Sequence, residues 1–213
     1  MKNGNIDNIF IYWIYFVSII LISIYILESF DFISGLFRED ISYISSIIVS
    51  IFTFYLFRGG YHLYKLRYAI NSLIQENSSS NNNIFIEILD EYRSSLSNTL
   101  NNKSFQEQLK SRLYEIVDNG FFVADILLKL GIVGTVIGFI IMLSSLSTID
   151  EMNLSKMNNL LLSMSSGMKV ALYTTLSGLI CSILLTIQNN YFENKINNFI
   201  SKILSSGDNE KKD

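Results

Sequence analysis

The 213-residue chain is 49% hydrophobic and only 16% charged, against about 25% charged in soluble domains, and its mean hydropathy is +0.33. Lys and Arg total 16 against 19 Asp and Glu, a net charge of −3, so no overall positive field exists to hold a nucleic-acid backbone. A single cysteine, Cys181, excludes a disulfide framework and a multi-cysteine metal site, and a single histidine, His62, leaves a catalytic triad or a multi-histidine zinc site without support. No nucleophile, base and orienting group can be assembled, so an enzyme is not expected. The absence of proline, with abundant Ile and Leu, predicts long unbroken helices. The expected fold class is an all-α membrane protein.

A helix crossing a bilayer needs about 20 apolar residues, because about 30 Å of hydrocarbon must be spanned with every backbone group paired internally. Residues 9–27 carry no charge and have Trp13 and several tyrosines near their ends. With only Lys2 ahead of them and no small-residue cleavage site behind, they read as a retained span rather than a signal peptide. Residues 41–57 form a second uncharged stretch, short and serine-rich. Beyond it come Arg58, Lys65, Arg67, Lys110 and Arg112, whereas the connection between the first two spans holds only Arg38. The positive-inside rule therefore places the central segment in the cytoplasm.

Within that segment Leu63, Leu66, Ile70, Leu73 and Ile74 recur at helical spacing. After the polar run at residues 76–83, so do Phe85, Ile88, Leu89, Tyr92, Leu96 and Leu100, which predicts an amphipathic helical hairpin. Ser104 and Glu107 fit a capping box for a further helix through Leu109, Leu113, Ile116 and Val117, with a break or bend expected at Asn119-Gly120. A third, glycine-rich span at residues 121–146 has charges only at Asp125 and Lys129, and a fourth at 170–187 is uncharged. Phe192, Ile196, Phe199, Ile200 and Leu204 continue an amphipathic helix that should fray at residues 205–213. Lys195, Lys202, Lys211 and Lys212 put this tail on the cytoplasmic side, against Lys156 alone in the connection at 147–167. The expectation is four transmembrane helices, both termini cytoplasmic, with divisions at 1–58, 59–120, 121–191 and 192–213.

Two strips of small residues stand out. Gly131, Gly134 and Gly138, with Thr135, lie on one face of the third span; Gly167, Ala171, Thr174 or Thr175, Gly178 and Ser182 form a matching strip on the fourth. Such strips let helix backbones approach closely in lipid, and their hydroxyls can equally line a narrow polar passage. Spacing leaves both readings open. Asp125 and Lys129, four residues apart, read either as a surface pair or as the mouth of an ion path. Lys169 is expected to snorkel to headgroups, His62 to be a solvated interface residue, and Cys181 to be a buried packing residue. No Asp or Glu lies in the middle of any span.

The stretches ADILLKLGIVGTVIGFIIML from Ala124 and SGMKVALYTTLSGLICSILL from Ser166 resemble the third and fourth spans of the MotA/TolQ/ExbB ion-channel family, over residues 124–191. The paired pattern LGxxGTxxG and ALxTTxxG is fairly specific. Four spans and the Ala124-Asp125 start are most similar to the flagellar stator branch of MotA and PomA. The resemblance implies an ion-conducting, proton- or sodium-driven ring subunit in a bacterial inner membrane. The ring is expected to be a homo-oligomer, a pentamer, around a dimeric single-span partner of the MotB, TolR or ExbD type, which carries the essential aspartate. It further implies that Thr135, Thr174 and Thr175 face the pore and that Asp125 marks the start of the ion path. No cofactor is implied beyond the transported H+ or Na+. Leu128 and Leu184 stand where many relatives have proline, so a mechanism based on proline kinks does not carry over. The alternative function is a non-conducting membrane scaffold whose glycine strips only pack helices.

Overall fold

The computed structural model describes residues 8–29, 34, 43–75, 86, 102–144 and 154–210. Among these residues the chain is helical without strands, in four helices: α1 (Asn8–Ser29), α2 (Ile44–Gln75), α3 (Asn102–Ser144) and α4 (Leu154–Glu210). Their lengths are 22, 32, 43 and 57 residues. Tyr43 caps α2 from a left-handed backbone conformation, φ 58°, and its carbonyl accepts from the amide of Ile47 at 3.1 Å.

Among the described residues, three helices are long and apolar enough to cross a membrane, over Ile44–Ala69, Lys110–Ser144 and Leu160–Ser201. The apolar stretch of α1, Ile11–Ile26, is shorter. Along that stretch Ile14, Ile19, Leu21, Ile22, Ile24 and Ile26 are all exposed, and Ile20 alone is buried. A helix that turns aliphatic side chains outward nearly all round is suited to lipid and not to water. Some hydroxyls within the apolar stretches are satisfied by their own helices, as Thr53 donates to the Val49 carbonyl at 2.8 Å and Thr186 to the Ser182 carbonyl at 2.8 Å. That is how a serine- and threonine-rich helix tolerates a medium without water. The chain is a membrane protein.

The chain divides into two compact units, and the helices run through both. The first comprises Met1–Val17, Leu56–Phe121 and Ile187–Asp213. Its core gathers Leu63, Leu66 and Ala69 of α2, Leu113 and Val117 of α3, and Phe192, Ile196, Phe199 and Ile200 of α4, together with Ile86. The three- and four-residue steps within each set place one apolar stripe of each helix inside. Of the predicted hairpin's second limb only Ile86 is described, and it is buried. Phe85, Ile88, Leu89, Tyr92, Leu96 and Leu100 lie outside the described residues, as do the side chains of Ile70, Leu73, Ile74, Ser104, Leu109 and Leu204.

Four local expectations are corrected. The helix does not break at Asn119-Gly120, since α3 continues through it. Gly120 is instead buried under the carboxamide of Asn189, into which a Cβ would project, so this glycine serves close approach and not a turn. The tail holds its helix to Glu210, and α4 already begins at Leu154, inside the stretch expected to connect the last two spans. His62 is half-buried, with its ring 6.2 Å from that of Phe192 and its Nδ1 closed off from solvent, and is not a freely solvated residue.

Phe199 is fully buried in the first unit. Phe199→Ala is expected to lower the unfolding free energy of the purified protein by about 3–5 kcal/mol, read from denaturant or thermal unfolding.

Candidate functional site

The second unit comprises Ser18–Tyr55 and Phe122–Thr186, and in it α3 and α4 meet through their small residues. A Cβ built on Gly131 would lie 3.3 Å from the Cα of Gly178, and one on Gly178 would lie 2.8 Å from the Cα of Gly131. One on Gly138 would lie 2.6 Å from the Ala171 amide nitrogen, and one on Gly167 would lie 2.8 Å from the Met142 amide nitrogen. A Cβ on Gly134 would collide with the Thr174 side chain. As residue numbers rise along α3 through 131, 134, 138 and 142, their partners fall along α4 through 178, 174, 171 and 167, so the two helices are antiparallel and in fixed register. At Gly167 and Gly178 the obstructing atoms are backbone and at Gly138 they are the Ala171 backbone and Cβ, none of which can swing aside, while at Gly131 the facing backbone, 3.3 Å away, would have to give by a few tenths of an ångström. These positions therefore need glycine for the closeness of the approach.

The threonines sit at this contact in different ways. Thr174 is fully buried, and its hydroxyl donates to the carbonyls of Val170 at 2.9 Å and Ala171 at 3.1 Å. Thr175 is half-buried and donates across the contact to the Gly131 carbonyl at 3.2 Å, as well as to the Ala171 carbonyl at 3.1 Å. Thr135 is also half-buried and donates to the Ile132 carbonyl at 2.5 Å. Because Thr135 follows Gly131 by one turn, and Thr175 reaches the Gly131 carbonyl, both threonines border the same edge of the helix pair. Thr174 lies within the pair's contact. Asp125 is exposed and pairs with Lys129 at 2.5 Å on the same helix. Lys169 is exposed and Cys181 is buried.

The electrostatic character of the pair follows from what its sequence omits. Residues 126–144 of α3 and 160–192 of α4 contain no carboxylate. The helix pair therefore offers an ion hydroxyl and carbonyl dipoles, which stabilise a passing charge, but no group that takes up a proton near neutral pH. Among the described residues there is no group of three or more His, Cys, Asp or Glu that could hold a metal.

Sequence reasoning missed a second set of close contacts, in the first unit. Gln188 is only 3% exposed, and its Nε2 donates to the Leu56 carbonyl of α2 at 3.1 Å. Its carboxamide occupies the space a Cβ on Gly59 would need, as the Trp13 ring does at Gly60 and Asn189 does at Gly120. The signal for it is the pair of glycines at 59 and 60. Two glycines inside a helix disfavour it by about 1 kcal/mol each, and that cost is sustained where a neighbour must come close.

Residues 89–204, more than half of the chain, match the MotA/TolQ/ExbB proton channel family. The chain belongs to that family, whose members are ion-channel subunits that work in complexes with a partner protein. No curated protein matches it, and neither does any solved structure.

Gly138→Leu would drive a branched side chain into the Ala171 backbone and is expected to cost about 3 kcal/mol of stability. Val133→Leu on the exposed side of the same helix is expected to stay within about 0.5 kcal/mol of the parent. Thermal unfolding of the two variants in one detergent makes the comparison.

Proposed function

We propose that this chain is the ring-forming subunit of an ion-driven motor in a bacterial inner membrane, conducting protons or sodium ions and coupling their flow to mechanical work. The reading is of a flagellar-stator-like or Tol/Exb-like energiser, most similar to the four-span MotA and PomA branch. The observation that carries it is the hydroxyl-bearing edge of the antiparallel pair. Thr175 bridges to the Gly131 carbonyl, and Thr135 stands one turn further along α3. Beside these dipoles, residues 126–144 of α3 and 160–192 of α4 contain no carboxylate. A channel subunit without its own proton-binding group requires that group from elsewhere. In this reading it comes from a dimeric single-span partner of the MotB, TolR or ExbD type, whose aspartate lies beside the threonines. The subunits, five in the expected ring, surround that partner.

In this reading α1 is the remaining span, with both termini and residues 59–120 on the cytoplasmic side. Asp125, held by Lys129 at the start of the apolar part of α3, lies where ions leave or join the path. Thr174 holds Gly134 against it from inside the subunit and so supports the edge on which Thr135 and Thr175 stand. The flow of one charge across 100 mV releases about 2.3 kcal/mol, comparable with one or two hydrogen bonds. Loss of a single hydroxyl contact is enough to stall such a cycle without unfolding the helices.

Two measurements test the reading. With a single-span partner protein copurified, Thr135→Val and Thr175→Val are expected to assemble normally and to lower ion flux about tenfold, the effect of about 1.4 kcal/mol on a barrier. Normal flux in both, with normal assembly, favours the non-conducting scaffold instead. For the topology, cysteines introduced at Ser34 and Asn153 in a Cys181→Ser background are expected to react with an impermeant reagent outside intact cells, and one at Ser79 is not. Labelling of Ser79 from outside would invert or break the four-span arrangement.

A further inference from the structure

Two neighbouring carboxamides lie sealed inside the first unit. Gln188 is 3% exposed and Asn189 7%. Gln188 fills the socket left by Gly59 on α2, and Asn189 the one left by Gly120 on α3. His62 follows Gly59 by three residues on α2, and its ring lies 6.2 Å from that of Phe192, four residues beyond Gln188 on α4. Helical residues three or four apart share a face. His62 therefore stands in the same contact between α2 and α4 as Gln188, about one turn further along.

Each of these side chains keeps a buried polar atom to which the described residues bring no hydrogen-bond partner: Oε1 of Gln188, Nδ2 of Asn189 and Nδ1 of His62. The Gln188 carboxamide is satisfied on its other side, where Nε2 donates to the Leu56 carbonyl at 3.1 Å. A buried donor or acceptor left unmade carries its whole desolvation cost, so such atoms in a folded unit call for a partner.

The chemistry of the three atoms selects that partner. Oε1 only accepts and Nδ2 only donates, so the partner must do both. A cation finds no acceptor at Nδ2 and meets the charges of Arg58 and Lys65 beside His62. An anion finds no donor at Oε1. Water serves each atom, donating to Oε1, accepting from Nδ2 and taking whichever role the His62 tautomer requires. The scale agrees. One helical turn rises about 5.4 Å, and two hydrogen bonds of about 2.8 Å placed end to end span the same length. Gln188 and Asn189 point about 100° apart around α4, one turned to α2 and the other to α3, so a bridging molecule joins them more readily than direct contact.

We propose that Gln188, Asn189 and His62 bind ordered water where α2, α3 and α4 meet, and that this water completes the polar contacts holding α4 to the other two helices. The water is a constant part of the folded unit. The proposal concerns the packing of the first unit and does not depend on ion conduction.

The test is water-edited solid-state NMR of the full-length protein, labelled with 13C and 15N, in lipid bilayers. Magnetisation that starts on water is expected to reach the side-chain nitrogens of Gln188 and Asn189 and Nδ1 of His62 as fast as it reaches the side chain of exposed Asn190. It should arrive there well ahead of the fully buried Leu63 and Leu66. Build-up at the three polar residues as slow as at the two leucines would overturn the proposal, and this comparison needs no variant. Asn189→Leu then removes one carboxamide at nearly constant volume and is expected to slow the transfer to Gln188 Nε2, because the water loses a partner. Undiminished transfer to Gln188, with Leu63 and Leu66 resonances unchanged from the parent, would overturn the shared site.

Discussion

The backbone-to-backbone approach of α3 and α4 is the constraint on which the second unit depends. In lipid no hydrophobic force distinguishes a leucine against a leucine from a leucine against an acyl chain, so helices associate through close packing and polar contacts. Gly131 against Gly178, Gly138 against Ala171 and Gly167 against Met142 remove the Cβ atoms that would hold the axes apart. Only at that distance does the Thr175 hydroxyl reach the Gly131 carbonyl on the other helix. The same glycines leave the bulky residues to the outside. Ile132, Val136, Phe139 and Ile140 of α3, and Leu172, Leu176, Leu179 and Ile183 of α4, are all exposed.

Much of this is legible in the sequence, because glycine is costly inside a helix and its recurrence along one face of an apolar run marks a surface that another backbone approaches. The strips at 131, 134 and 138 and at 167, 171 and 178 follow from spacing alone. Their register does not, because spacing on one helix says nothing of which turn of the other it meets. Thr174 and Thr175 illustrate the limit. Adjacent in sequence and alike in chemistry, they point about 100° apart around α4, so one is sealed against Gly134 while the other reaches across to Gly131. The apolar periodicity at Leu63, Leu66, Leu113, Val117, Phe192, Ile196 and Phe199 likewise foretells which side chains form the first unit's core.

Where the sequence misleads, the physical cause is shared. Asn119-Gly120 carries the usual signature of a turn, which points to a bend. The helix persists because Gly120 gives space to Asn189, and the propensity cost of one glycine is small beside the packing of a 43-residue helix. The basic neighbours of His62 suggest a solvated ring, but it follows the Gly59-Gly60 pair by less than one turn. It lies on the half-buried side of α2, near Phe192. At both Gly59 and Gly120, a residue whose backbone freedom suggests a break serves instead as a socket for a side chain on α4. Gln188, whose carboxamide donates to the Leu56 carbonyl, is the clearest case of such a partner and carries no motif of its own.

The family assignment and the geometry meet in the helix pair. A channel subunit that supplies dipoles and close packing, and no carboxylate over residues 126–144 and 160–192, is suited to act with a second protein and not alone. That division of labour depends on the α3 and α4 register holding in a bilayer. Solid-state NMR of the full-length protein in lipid, labelled with 13C at glycine Cα, tests it most directly. A cross-peak between Gly131 and Gly178 at short mixing time is the predicted result. Resolved, ordered resonances for both glycines with no cross-peak between them would contradict the account.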